Sequence, residues 1–285
     1  MFYFNAKLVQ SLIRKDLDCS LEGFLLRTCF WIFKPLFGIY GMTDYERTAF
    51  LALHVWQQKM QKKPSLTNRI AKGIQNRINH VIPEKAHQVI TVTIEKMVKA
   101  VLFGAKYTTT EKVAAGSSLL LRESYIKHQI TFYQKTASVE GAVIGAGGIL
   151  LGLAELPILI GIKMKLLFNI AALYGFDVKE YKERLYILYI FQLTYSSQHR
   201  RNEIYELLRN WDSYSALLPE SADQFDWRTF QQEYRDYIDL AKLAQLIPII
   251  GAAVGAIANY HLIAQLGETA MNCYRMRMLN PTQIT

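Results

Sequence analysis

Residues 141–175 read GAVIGAGGILLGLAELPILIGIKMKLLFNIAALYG, and between Gly141 and Ile162 the only charge is Glu155. A run this apolar is either a membrane span or the core of a helical protein, and length decides between them. The triplet Glu155-Leu156-Pro157 predicts a helix break, because Pro157 lacks the N–H that continues a helix yet suits the first position of a new one. Residues 141–154 would then reach only about 21 Å at 1.5 Å per residue, short of a ~30 Å bilayer core. A buried helical hairpin, or a shallow re-entrant one, fits better than a full crossing.

A second run, Leu243–Gly267 (LAQLIPIIGAAVGAIANYHLIAQLG), contains no Lys, Arg, Asp or Glu. Residues 249–267 would reach about 28 Å, enough for a thin bilayer. Asn259, His261 and Gln265 make a lipid-facing crossing costly, so a buried core helix is preferred. The glycines of both runs recur four apart: Gly141 and Gly145, Gly148 and Gly152, Gly251 and Gly255. Small residues at i and i+4 let two helix backbones approach closely, which predicts that the 141–154 and 249–267 helices pair through these faces.

Outward from the two runs, helix signals recur and hairpin signals do not. Thr43 with Glu46 reads as a capping box that opens a helix to about Gln61, and Thr108 with Glu111 reads as another. Ile70, Ile74 and Ile78 mark one helix face, and Pro83 suits the first turn of a helix that ends near Gly104. Gly175 stands where a helix C-cap belongs, with Asp177 and Glu180 as the next N-terminal cap. Asp226 opens an amphipathic stretch that closes before Pro248. The expected fold is all-α: a multi-helix globular bundle with the two Gly-rich apolar segments packed as its central core.

The 285 residues carry a net charge of +9, unevenly spread. Residues 1–135 hold 20 Lys/Arg against 9 Asp/Glu, and residues 136–285 hold 13 against 15. A basic front half points to an acidic partner: anionic membrane lipid, a membrane protein or nucleic acid. Nucleic acid is the weakest of these, since the bases of residues 57–112 follow helical spacing with no recognised binding motif. Residues 24–42 interleave Phe24, Phe30, Trp31, Phe33 and Phe37 with Arg27 and Lys34. That pattern suits an interfacial membrane helix, or equally a helix packing its aromatics on the core. Residues 1–42 thus read as an aromatic and basic extension, and residues 43–280 as the helical domain. Three scattered cysteines argue against a disulfide framework, and no secretory signal is evident, so a cytoplasmic setting at the inner membrane face is expected.

Chemistry-bearing motifs are scarce. Gly145-Ala146-Gly147-Gly148 has no preceding strand and no following Lys-Ser/Thr, which excludes dinucleotide and P-loop readings. No metal-ligand spacing appears among the histidines and cysteines, so neither a metal nor a cofactor is expected. A candidate polar site consists of Glu155, Asn169, Tyr174, Asp177 and Asn259. For Glu155 a helix N-terminus beside Pro157 suffices to explain a carboxylate in an apolar run, and is preferred to a function. An enzyme would require all five to converge on one pocket; a soluble helical scaffold or homo-oligomer would not.

The assembled pattern resembles the EcsC family of bacterial helical proteins. The resemblance rests on Thr43-Asp44-Tyr45-Glu46, Trp56, Val81-Ile82-Pro83-Glu84-Lys85, the Gly141–Gly152 run, and Glu155-Leu156-Pro157. It continues at Ala172-Leu173-Tyr174-Gly175-Phe176-Asp177 and Ile247-Pro248-Ile249-Ile250-Gly251-Ala252-Ala253-Val254-Gly255, and covers about residues 43–280. The family often has Asp where this chain has Glu155, so the carboxylate is kept. Its name comes from a gene neighbouring an ABC transporter, which implies a setting at a membrane and no particular reaction. The resemblance carries over no catalytic residue.

Overall fold

The computed structural model describes residues 41–61, 84–103, 111–196, 198–221, 224–226, 229–230 and 251–279, with the side chains of 84–87, 103, 140–153, 198–199 and 251–255 left aside. The chain is all-α. Among the described residues its helices are α1 (Asp44–Gln61), α2 (Glu84–Phe103), α3 (Leu119–Tyr174), α4 (Tyr181–Tyr195), α5 (Gln198–Arg209), α6 (Trp211–Ala216) and α7 (Gly251–Met278). Among the described residues there is no β-strand.

The cap of α1 is the reciprocal one its sequence predicts. The Thr43 N–H donates to Glu46 Oε2 at 2.8 Å, and the Glu46 N–H donates to Thr43 Oγ1 at 3.3 Å. Two orphan donors are satisfied at once. Ala49, Leu53 and Trp56, three and four apart, form its buried face. Gly175 ends α3 in the left-handed region, at φ 97°, with its N–H returned to the last turn. A side chain would be strained there.

The 56 residues of α3 would form a rod about 84 Å long if straight. They do not. Asn169 Nδ2 donates to Gln129 Oε1 at 3.2 Å, 40 positions away, and Arg122 Nη1 donates to the Leu173 carbonyl at 3.0 Å, 51 positions away. Contacts so distant in sequence require two antiparallel arms. The helical backbone therefore doubles back between Tyr133 and Asn169, in the stretch that holds the 141–152 glycines. This is the expected hairpin, but its turn is not where the sequence suggested. The second arm is helical through Pro157, so Glu155 lies inside a helix and not at its start. A proline inside a helix costs about 3 kcal/mol or more. Leu156, Leu159 and Ile160 beside it are fully buried, and that packing holds the arm together.

Two other predicted caps are corrected. The backbone at 111–114 is not helical, and α3 begins instead after Ser118, whose Oγ accepts from the Leu121 N–H at 3.3 Å. Asp177 does not cap α4. Its Oδ1 accepts from the Lys179 N–H at 2.9 Å in the preceding turn, and Glu180 is the N-cap residue. Asp226 does act as a cap, accepting from the Thr229 N–H at 3.1 Å. The Phe24–Phe37 segment, Thr108, the Ile70–Ile78 face and most of the 226–246 stretch that the sequence predicts as helix lie outside the described residues.

α7 packs along both arms of α3 more extensively than any other helix pair. It runs antiparallel to the first arm, pairing Gly267 with Ile130 and Arg275 with Glu123. It runs parallel to the second, pairing Asn259 with Lys163 and Met271 with Tyr174. α4, buried on nearly every side, sits against this three-rod core. Its run from Leu185 to Phe191 is apolar on every side, as a helix in such a place should be. Ala154–Tyr174 is long and apolar enough to cross a membrane, and 67% of it is buried inside the protein.

Candidate functional site

Where the three rods meet α1 and α4, the core is polar. Glu123 is fully buried and takes a fork from Arg275, with Nε 2.7 Å from Oε1 and Nη2 2.5 Å from Oε2. The hydroxyls of Tyr45 and Tyr174 donate to the same carboxylate at 2.6 and 3.0 Å. Lys127 Nζ donates to the Tyr45 hydroxyl at 3.0 Å. Burial pushes the Glu123 carboxyl up, but these hydrogen bonds and the guanidinium charge outweigh it and hold it below the ordinary carboxylate value. One carboxylate thus ties together α1, both arms of α3 and α7.

A second knot adjoins the first. Glu183 of α4 accepts from the Tyr274 hydroxyl at 2.6 Å and from Arg277 at 2.7 Å. The Arg277 guanidinium lies 3.8 Å from the Phe176 ring centroid and 4.6 Å from that of Tyr186. Tyr174 stacks on Tyr274 at 5.3 Å, joining the knots. Burial holds the Glu183 carboxyl above its ordinary value despite the arginine beside it.

Further along, Lys163 is wholly buried. Its ammonium reaches the Leu159 carbonyl at 3.4 Å and Asn259 Oδ1 at 3.3 Å. Burial pulls its pKa down to about 7.

The five residues of the candidate polar site do not surround one cavity. Tyr174 belongs to the Glu123 knot. Asn169 donates to Gln129 and to the Tyr133 hydroxyl, and Asn259 accepts from Lys163. Asn259 stands about 18 Å along α7 from Met271, whose carbonyl accepts from Tyr174. Glu155 is half-buried and Asp177 exposed. An ionised carboxylate has about four acceptor positions, and the four donors on Glu123 occupy them. The knot is a clamp, with no lone pair left to abstract a proton.

An open groove of about 520 Å³ runs between α2 and the second arm, lined by Val89, Val92, Met97, Ala100, Pro157 and Ile160. It contains none of the five residues. Among the described residues, no three His, Cys, Asp or Glu converge as a metal site. The glycines at 141, 145, 148, 152, 251 and 255 stand on helices that pack together, but their own surroundings lie outside the described side chains.

Glu123, Arg275, Glu183, Arg277 and Lys163 were not singled out from the sequence. One signal was there: Leu119, Glu123, Ile126, Tyr133 and Ala137 share a buried face, and Glu123 holds a position that the period reserves for an apolar residue.

These features define a helical protein organised round an interhelical ionic clamp. The EcsC protein family profile matches residues 47–279, and the chain belongs to that family. It is 44% identical over 241 residues to Protein EcsC of Bacillus subtilis (strain 168), covering 85% of this chain and 99% of that one. It is 34% identical over 143 residues to the uncharacterized protein YdbA of the same organism, covering 50% and 53% of the two chains. No solved structure matches the fold.

Proposed function

We propose that the protein binds peripherally to the cytoplasmic face of the membrane and acts there as a non-catalytic binding or adaptor protein serving a transport process. The supporting observation is the outer face of the first arm of α3. Leu121, Tyr125, Phe132 and Val139 are exposed there, Phe132 by 55% and Val139 by 66%. Spacings of 4, 7 and 7 keep them on one side of a helix over about 27 Å. His128 and Lys135 flank them in solvent, and the only acid between residues 119 and 139 is the buried Glu123. Aromatic and aliphatic side chains with bases and without exposed acids are the composition of a helix that lies in a lipid headgroup layer.

Each lysine near an anionic leaflet contributes about 1 kcal/mol, to which apolar insertion adds. Sedimentation with vesicles tests the reading. The protein should pellet with vesicles containing phosphatidylglycerol and remain in the supernatant with phosphatidylcholine alone. Recovery in the supernatant from both, at low salt, overturns it.

A further inference from the structure

A small pocket of about 160 Å³ opens between α1, the end of α4, α5 and α7. Its apolar wall includes Trp56 and Leu193, both buried. Its charged groups are Lys59, Arg201 and Glu268. α5 treats its arginines differently. Arg200 pairs with Glu203 at 3.1 Å and Arg209 with Glu206 at 3.4 Å, whereas among the described residues Arg201 makes no ion pair and no hydrogen bond. Arg201 is half-buried, as Arg200 is, but Arg200 has Glu203 beside it; burial pulls the Arg201 pKa down.

A guanidinium offers five N–H donors in a planar fork, and those of Arg201, beside the apolar Trp56 wall and without a partner among the described residues, are open to a ligand. Its natural complement is an oxyanion that accepts two parallel hydrogen bonds. Lys59, exposed at the pocket, supplies a second positive charge, and Glu268, also exposed, offsets one. The remaining excess is a single positive charge. Drug-sized ligands occupy about 300–1,000 Å³, so this pocket admits only a small group or the head of a larger molecule.

We infer that the Arg201 pocket is a binding site for a phosphate group, held by the Arg201 fork and by Lys59. A phospholipid headgroup and a soluble phosphate share this chemistry. The inference does not depend on membrane association, since a soluble phosphate would fill the site equally well.

The test is thermal unfolding of the full chain with inorganic phosphate, against chloride and acetate at matched ionic strength. Phosphate should raise the melting temperature of the parent, and Arg201→Met should need at least tenfold more phosphate for the same rise. Arg201→Met should itself be as stable as the parent in chloride, because it removes an unpaired, partly desolvated charge. Dihexanoyl phosphatidylglycerol acting at a tenfold lower concentration than glycerol phosphate would assign the site to lipid, and equal potency would assign it to a soluble phosphate. A parent that responds to phosphate no more than to chloride or acetate overturns the inference. So does an undiminished response in Arg201→Met.

Discussion

Arg275 grips Glu123 through its Nε and Nη2, across 152 positions of sequence. Because Tyr45 and Tyr174 close on the same carboxylate, α1, both arms of α3 and α7 share one ionic centre. Removing one member of a buried pair leaves the other charged and unpaired, which typically costs about 3–5 kcal/mol. Arg275→Met should lose about that much in urea unfolding at pH 7. The Glu123 carboxyl lies below its unfolded value, so the stability it confers is present above about pH 4.5 and is lost as the pH falls through its folded value. The deficit of Arg275→Met relative to the parent should accordingly shrink in acid.

Lys163 carries the opposite sign. Its pKa is about 7 in the folded protein against 10.5 when unfolded, so the unfolded chain binds the extra proton between those values. Stability should therefore rise with pH from about 7 to 10.5, and below pH 7 the cost is present in full. Lys163→Met, of similar length and without charge, should be more stable than the parent by on the order of a few kcal/mol at pH 7. Its stability should also lose that rise with pH. Unfolding curves at pH 6, 8 and 10 check both.

Gly267 and Gly161 predict contrary outcomes for the same kind of substitution. A Cβ at Gly267 would stand 2.6 Å from Ile130 Cδ1 and 2.7 Å from its Cγ1, whereas at Gly161 it meets nothing within 4 Å. Gly267→Leu should cost about 1–3 kcal/mol through overpacking, with partial rescue by Ile130→Ala. Gly161→Ala should gain about 0.5–1 kcal/mol from reduced backbone freedom. Melting temperatures distinguish the two directly.

The register fixed by Ile130 with Gly267 and Glu123 with Arg275, carried along both helices, brings position 251 opposite 146–147 and position 255 opposite 142–143. Gly255→Leu should then lower the melting temperature far more than Ala258→Leu. A parent-like melt for Gly255→Leu would mean that these glycines do not line the helix contact.

The contrast between what was legible in the sequence and what was not follows the range of each interaction. The Thr43–Glu46 box and the Gly175 cap lie within a few residues, and their geometry is set by backbone groups that any helix end exposes. The hairpin was legible from length, but the position of its turn was not. Pro157 forfeits one hydrogen bond locally, while the burial that outweighs this loss comes from partners distant in sequence. Asp177 was misplaced by one turn, since a short aspartate serves a tight turn as readily as a helix start. Glu123 and Arg275 carry no local mark of their pairing, because only the three-rod core brings them together. Lys163 ends an apolar run, as a helix-terminal lysine reaching for solvent would, and only the packing of α7 over it reveals that it is buried.

Membrane binding through the first arm of α3 is tested most directly by a charge placed on its exposed apolar face. Phe132→Glu puts an acid among Tyr125, His128 and Lys135, while Leu217→Glu, at a residue 85% exposed elsewhere on the protein, serves as control. Neither side chain is buried, so both variants should melt like the parent. Vesicle sedimentation with phosphatidylglycerol should show at least tenfold weaker binding for Phe132→Glu and parent-like binding for Leu217→Glu. Equal sedimentation of Phe132→Glu and the parent would contradict the assignment of this face to lipid.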